Sequence, residues 1–516
     1  MHRTHWGVSP ANECGAGAVY FFNVMTAALP PLPDEALHDH CGIVGIYDPT
    51  NQLDVPRYLV IAMTALQHRG QESAGVALLV PKTGEIEATT GMGRVRDVFP
   101  RGTDDLIATC CGIGHVRYST TGSSCVENAA PFVLRPGRKM FFDPVAIAHN
   151  GNVVNAAELR AEVTDIVFQS ETDSEVIAAL LLRTGGETFA HRLRHVAHRL
   201  RGAYSLVLMS EGKLYGLRDP YGMRPLSLGR LGDGWILASE TCAFDRVGAT
   251  FERELEPGEL VTIDDSGCHS EFFMRRTRRG FCVFEFVYFS DATSVLDGRN
   301  VYAVREELGR QLALEHPAEA DMVVPVPLTA IPMAIGYAEA SGLPFAEPII
   351  ASRYADRSFI KPDQRLRRLE IDLKFNIVRD KIAGKRLVVV EDSLVRGNTL
   401  AILIKALRRN GAAQVHVRIA APPIRHPCYF GIDIPTEDEL IAHRNSVEQV
   451  RQHIGADSLG YLSLAGLGRA TGGSSGDTDH TAEAHLRHRF CFGCMDERGY
   501  PFPVKVGMEK MPSEVG

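Results

Sequence analysis

The chain lacks any apolar run of the roughly 20 residues that a bilayer-crossing helix needs, lacks a basic surplus, and contains no fixed-period repeat or heptad run. These absences argue against a membrane span, a solenoid and a long coiled coil. A net charge of -8 gives no electrostatic reason to expect nucleic acid. Cysteine is thinly spread, with eleven residues along 516, so they read as reduced thiols of a cytoplasmic protein, some of them metal ligands, rather than as a disulfide framework. Composition is that of a globular protein, 45% apolar and 23% charged. Single cores stop growing at about 250–300 residues, so two large domains are expected.

Two textures follow one another. From Cys41 to about residue 275, short period-two runs such as "GIVGIYD", "VAIAHNG", "AYSLVLMS" and "WILASE" alternate with turn residues and a few helical stretches, which predicts a layered α+β domain. The basic segment "FFMRRTRRG" (272–280) reads as a solvated connection. Beyond it, continuous apolar strands ("DMVVPVP", "KRLVVVED", "QVHVRIAAPP") alternate with long helix patterns, which predicts a parallel sheet covered on both faces. Residues 469–485, "RATGGSSGDTDHTAEAH", are polar and rich in Gly and Ser, and are expected to be a mobile linker before a tail that carries Cys491 and Cys494.

Chemistry concentrates at two places. In "KRLVVVEDSLVRGNTLAILIKAL" (385–407) a buried strand ends in Glu391 and Asp392, turns through Ser393, Arg396 and Gly397, and opens a helix at Asn398 and Thr399. Amides at such a turn suit a phosphate, and the acids suit ribose hydroxyls or Mg²⁺. The segment resembles the phosphoribosyl-diphosphate (PRPP) motif of type I phosphoribosyltransferases. In the first half, "LQHRGQESAG", "GHVRYSTTG", "AHNGNVVN" and "SETDSE" follow "CGIVGIYD" in an order that resembles N-terminal-nucleophile glutamine amidotransferases.

Together the halves, from residue 41 to 467, resemble the amidophosphoribosyltransferase family. The resemblance implies an αββα glutaminase domain (41–275), a type I phosphoribosyltransferase domain with a parallel sheet (276–467), a linker (468–486) and a cluster-binding tail (487–516). It makes Cys41 the nucleophile, with its own α-amine as base, because an amine of pKa near 7.7–8.0 sits close to working pH. A peptide nitrogen is not basic, so residues 1–40 read as a leader cleaved after His40. Whether translation starts at Met1 or Met25 is open, Met25 being the simpler reading. Arg117 and Asp173 would hold glutamine's α-carboxylate and α-ammonium, with Asn150 and Gly151 as the oxyanion hole. Arg353, Tyr354, Arg357 and Lys374 would meet PRPP. Thr329, Glu391 and Asp392 would surround Mg²⁺. Glutamine and PRPP are the implied substrates, purine nucleotides the effectors and a homotetramer the assembly.

A lone C-x-x-C such as Cys491/Cys494 is compatible with zinc, redox chemistry or nothing. The resemblance implies a [4Fe–4S] cluster held by Cys242, Cys428, Cys491 and Cys494, with a zinc Cys₄ site as the rival. Cys14, Cys110, Cys111, Cys125, Cys268 and Cys282 read as ordinary thiols. Several positions depart from the family pattern: Leu328 lacks the usual acid, Ala355 and Asp356 lie in the closing loop, and Glu370 and Asp372 stand near Lys374 and Asn376, where Asp372 would repel a diphosphate. "FSDATS" (289–294) also lacks the usual Arg-Pro. These departures admit drift, a paralogue aminating another phosphosugar, or a non-catalytic nucleotide sensor.

Overall fold

The computed structural model describes residues 41–81, 83–118, 124–136, 143–351, 375–432, 434, 436–474 and 476–503. The period-two runs of the first half pair into two antiparallel sheets. One runs, in spatial order, Thr250–Glu254, Ser227–Leu231, Gly234–Ala238, Gly42–Tyr47, Cys111–Arg117, Ser73–Leu79 and Ile86–Met92. The other runs Gly267–Phe272, Glu259–Asp264, Lys213–Arg218, Gly202–Ser210, Val145–Val153 and Phe132–Leu134. Alternate residues point to opposite faces. Ile43 and Ile113 therefore meet Ala148, Val207 and Val261 between the sheets, while Val44 and Ile46 turn outward under the helix Val55–Ala65. The helices Asp173–Arg183 and Phe189–Arg199 cover the second sheet. The layers are αββα, as expected.

In the second half the strands Met322–Pro325, Arg386–Glu391, Gln414–Ile419 and Ser458–Tyr461 pair in parallel in that order. Both faces are covered, which is why "RLVVVE" has no polar interruption. Val388 and Val390 pack with Leu308, Leu312 and Met333 on one side. Leu387 and Val389 pack with Leu403, Ile404 and Leu407 on the other, each such side chain contributing roughly 1.5–3 kcal/mol by burial.

The expectation of a mobile linker at 469–485 is corrected. A helix spans Asp479–Arg489, its N-terminus capped by Thr478, whose side chain accepts from the Thr481 amide. Ala482 and Leu486 are fully buried. The helix lies so close to Leu464–Ala470 that a Cβ on Gly468 would come within 2.3 Å of the Ala482 carbonyl oxygen. The Gly/Ser content of 471–476 masked this cap and its short apolar stripe. The tail then adds Phe490–Cys491 beside Phe281–Cys282 as a parallel ladder. No described helix is long and apolar enough to cross a membrane.

Candidate functional site

Register assembles the first site. Gly42 pairs with Val116 in an antiparallel ladder, so continuing it by one residue sets Arg117 opposite Cys41. Ser73 pairs with Arg117 on the other side. Cys41 enters its strand at φ +43°, a conformation uncommon for a residue with a side chain. His115, fully buried, donates from Nε2 to the His149 carbonyl at 3.1 Å, which ties this end of the first sheet to the strand carrying Asn150 and Gly151. Burial, with the Arg117 and His149 charges, pushes the His115 imidazole down to about 3, so it is neutral at ordinary pH.

Asp173 is the first residue of its helix and accepts from the Val153 amide at 2.9 Å. Burial alone would raise its carboxyl. His149, whose Nδ1 lies 3.4 Å away, and the amides of Val153 and Ser174 outweigh that and hold it below the usual range. Asp173 is thus an anion facing the strand of Asn150. Several buried polar atoms at this end have no hydrogen-bond partner: both heteroatoms of the Asn150 amide, Ser73 Oγ, His149 Nε2 and His115 Nδ1. Unsatisfied buried groups cost about 1–3 kcal/mol each, so a cluster of them marks a place built for a ligand. Ser73 is a further candidate that the sequence did not single out; its motif was noted, its role was not.

Gly151 has φ +146°, and a Cβ there would lie 2.0 Å from the Ala203 carbonyl oxygen. Against its backbone packs Gly431, from the second half, at φ +105°; a Cβ on Gly431 would lie 3.0 Å from the Gly151 carbonyl carbon. Asn152 also donates from Nδ2 to the Tyr429 carbonyl at 2.8 Å. Gly431→Ala is therefore expected to strain the backbone at φ +105°, shift the Gly151 amide by a few tenths of an ångström and lower glutaminase kcat/KM by up to about tenfold, less than the hundredfold scale of a ~1 Å misplacement. Ammonia-dependent turnover in the same preparation should be unchanged; steady-state kinetics with each nitrogen donor checks this.

The second site sits at the carboxyl ends of two adjacent parallel strands. Met322–Pro325 leads to half-buried Thr329, and Arg386–Glu391 leads to Asp392. The Pro327–Leu328 peptide is cis and the Leu328 side chain is largely exposed. Burial, with the neighbouring acid, pushes Glu391 well up, and burial pushes Asp392 up to about 6. Ser393 donates to Asp392 at 2.7 Å. Gly397, at φ +86°, turns the chain into the helix Asn398–Arg409, placing Asn398 and Thr399 in its first turn. In the same turn, the Arg396 guanidinium pairs with Glu439 at 2.8 Å. Arg353, Tyr354, Ala355, Asp356, Arg357, Glu370, Asp372 and Lys374 lie outside the described residues.

The expected cysteine set needs one correction. Cys242 belongs to the outer core of the first half, where its Sγ lies 4.0 Å from both the Ala65 carbonyl and Glu240 Oε2. Cys282, rather than Cys242, is the cysteine that lies with the other three. It is in register with Cys491 on the short parallel ladder, and Cys428, Cys282 and Cys491 all lie near enough to Cys494 to raise its thiol further after burial has done so. Burial likewise pushes Cys491 up to about 12. The resemblance assigns Cys242 to the set and leaves Cys282 an ordinary thiol; the ladder that brings Cys282 to Cys491 is made by distant segments and leaves no local signal.

A buried ionic clamp links the halves. Arg69 donates to Glu240 and to Glu285; Arg224 donates to Glu285 at 2.9 Å; Ser290 and Ser294 donate at 2.7 Å to Glu285 and Glu240. Glu240 and Glu285 are fully buried.

Comparison with known proteins agrees with both halves. Residues 135–246 match a family model described as a glutamine amidotransferase domain. The chain is 44% identical over 479 residues to an amidophosphoribosyltransferase of Methanothermobacter thermautotrophicus, covering 92% of this chain and 97% of the relative. It is 43% identical over 448 residues to that of Bacillus subtilis, covering 86% and 92%. The solved structure of the B. subtilis glutamine PRPP amidotransferase, complexed with ADP and GMP, matches with a TM-score of 0.83 at 40% identity, over 91% of this chain and 99% of that one.

Proposed function

From the premise that this chain belongs to the amidophosphoribosyltransferase family, we propose that it aminates C1 of PRPP with nitrogen taken from glutamine, releasing glutamate and diphosphate, the first step of purine biosynthesis. The observation that carries the glutaminase half is the fully buried, unbonded Asn150 amide beside Gly151 at the Cys41 end of the sandwich.

The division of labour follows the two sites, in domains bounded near residues 41–275 and 276–467, with a tail from about 487. Removal of residues 1–40 frees the Cys41 α-amine, which takes the thiol proton as the sulfur attacks the glutamine amide. Asn150 Nδ2 and the Gly151 amide donate to the tetrahedral oxyanion. Arg117 pairs with the substrate's carboxylate and anionic Asp173 with its ammonium. The thioester on Cys41 is hydrolysed and ammonia passes to the other half, whose contact at Gly431 lies directly against Gly151. There the turn at Ser393–Gly397 and the first turn at Asn398 and Thr399 cradle the 5-phosphate, while Glu391 and Asp392 accept from ribose hydroxyls. Arg353, Tyr354, Arg357 and Lys374 would complete the PRPP site. Two adjacent carboxyls and the Thr329 hydroxyl are a hard oxygen donor set and fit Mg²⁺, which when bound supplies positive charge to the diphosphate leaving group. We assign the enzyme to the cytoplasm, as a homotetramer restrained by purine nucleotides. Glutamate and diphosphate release should match one for one and require PRPP and Mg²⁺; glutamine hydrolysis indifferent to PRPP, without diphosphate, would overturn the proposal.

Cys282, Cys428, Cys491 and Cys494 gather in one half-buried place on three separate segments and fit a four-thiolate group. They would hold a [4Fe–4S] cluster, which supplies a cross-link between tail and body. Cys282→Ser is expected to abolish iron loading and the visible thiolate-to-iron absorbance, whereas Cys242→Ser leaves both intact. Iron content per chain after anaerobic purification is the measurement, and the reverse pattern would restore Cys242 as the ligand.

A further inference from the structure

Near the cysteine centre, but built from other side chains, His426, Glu437 and His443 bring one nitrogen or oxygen each to within 4.8 Å of one another. His443 Nε2 lies 3.4 Å from Glu437 Oε2, His426 Nδ1 lies 4.0 Å from Glu437 Oε1, and the two rings stand edge to face at 85° with centroids 6.2 Å apart. His443 Nδ1 lies 2.6 Å from the Arg425 carbonyl, which only accepts, so Nδ1 carries the hydrogen. In the neutral ring Nε2 then presents a lone pair towards the carboxylate. That arrangement repels unless a proton or a cation lies between them.

We propose that these three residues form a site for a divalent transition metal of the Zn²⁺ class. The second histidine favours a metal over a single ion pair, because its Nδ1 converges on the same carboxylate from another direction. A backbone carbonyl fixing the tautomer of a ligating histidine is the usual outer-shell partner of such sites. Two imidazoles and one carboxylate leave a fourth position open, the set found in three-ligand zinc centres. With Zn–N and Zn–O near 2.0–2.2 Å, tetrahedral ligand atoms stand about 3.4 Å apart, so the His443–Glu437 spacing already suits the ion, whereas His426, 4.0 Å from the other oxygen of the same carboxylate, must close in on it. Mg²⁺ and Ca²⁺, which prefer all-oxygen sets, do not suit it.

The position gives the ion something to join. His426 donates its backbone N–H to the Cys494 carbonyl at 3.0 Å, on the cysteine side. On the other side, the Ile441 amide donates to the Val395 carbonyl at 2.9 Å and Glu439 holds Arg396, both in the turn that follows Asp392. A metal here staples the Glu437–Arg444 segment between the tail-anchoring cysteines and the phosphoribosyl turn.

The test uses cluster-loaded full-length protein under anaerobic conditions, titrated with Co²⁺ and then with Zn²⁺. One equivalent of Co²⁺ should bind with d–d bands and no thiolate charge-transfer band, be displaced by Zn²⁺, and be lost in both His443→Ala and Glu437→Gln, while iron content and glutaminase activity match the parent. Charge-transfer bands would mean that the cysteines bind the probe. Retention of the Co²⁺ equivalent in both variants would place it elsewhere, as at Glu391 and Asp392. Either result, or no binding up to ~100 times the micromolar range of ordinary sites, overturns the proposal.

Discussion

Cys41→Ala is expected to lower glutamine-dependent amination by on the order of 10⁴- to 10⁶-fold, the scale on which losing a nucleophile or its base costs other acyl-transfer enzymes. Ammonia-dependent amination should be unchanged, since Cys41 belongs to the antiparallel sandwich and the acid pair Glu391–Asp392 to the parallel sheet. The separation is diagnostic because alanine leaves Asn150, Gly151, Arg117 and Asp173 in place. Glutamine should still bind, and should still compete with a reactive glutamine analogue for the parent enzyme's site. Loss of both activities in parallel would mean that the substitution acts through folding. Survival of glutamine-dependent turnover would remove Cys41 from the chemistry and with it the reason to expect a free Cys41 α-amine. Intact mass of the active protein supplies an independent check, since only a chain beginning at Cys41 has its α-amine as base.

How much of this was legible in the sequence depended on whether the determinant was local. The strand ending in Glu391 and Asp392, and the turn with Gly397 that opens a helix, are contiguous, and the structure reproduces them almost as written. The αββα layers follow from period-two runs whose faces must be buried. Sites assembled across distant segments were harder to read. Cys282 reaches Cys491 only because the tail adds a strand to it, which no local pattern announces. Arg396 sits in the turn between that strand and helix, yet pairs with Glu439, 43 residues on. The helix at Asp479–Arg489 was hidden because two buried residues, Ala482 and Leu486, decide it while its neighbours read as a linker. The ionic clamp was missed for the same reason: Arg69, Glu240 and Glu285 come from three distant segments, and only folding makes them one unit.

That clamp leads to the second large effect. Glu285→Ala should destabilise the protein by about 3–5 kcal/mol, because it takes the carboxylate partner from the Arg224 guanidinium and leaves Arg69 with Glu240 alone, both arginines being almost wholly buried. Glu285→Gln keeps hydrogen-bonding atoms but not the charge and should fall between. Since Arg69 lies in the first half while Glu285 and its donor Ser290 lie in the second, glutamine-dependent turnover should drop more than ammonia-dependent turnover near the unfolding threshold. Acid gives a further signature. Burial alone would raise Glu240 and Glu285, but Arg69 beside both, His68 beside Glu240 and Arg224 beside Glu285 hold each carboxyl below its usual value. A depressed folded-state pKa stabilises fully above the unfolded value, near 4.3 for Glu, and loses that stabilisation as pH falls below it. The parent's unfolding free energy should therefore fall steeply between about pH 5 and 3, and less steeply in Glu285→Gln. Equal slopes in the two proteins would show that the clamp carries no net charge linkage, and a Glu285→Ala penalty under about 1 kcal/mol would show that its guanidiniums find water or other acceptors when the carboxylate is gone.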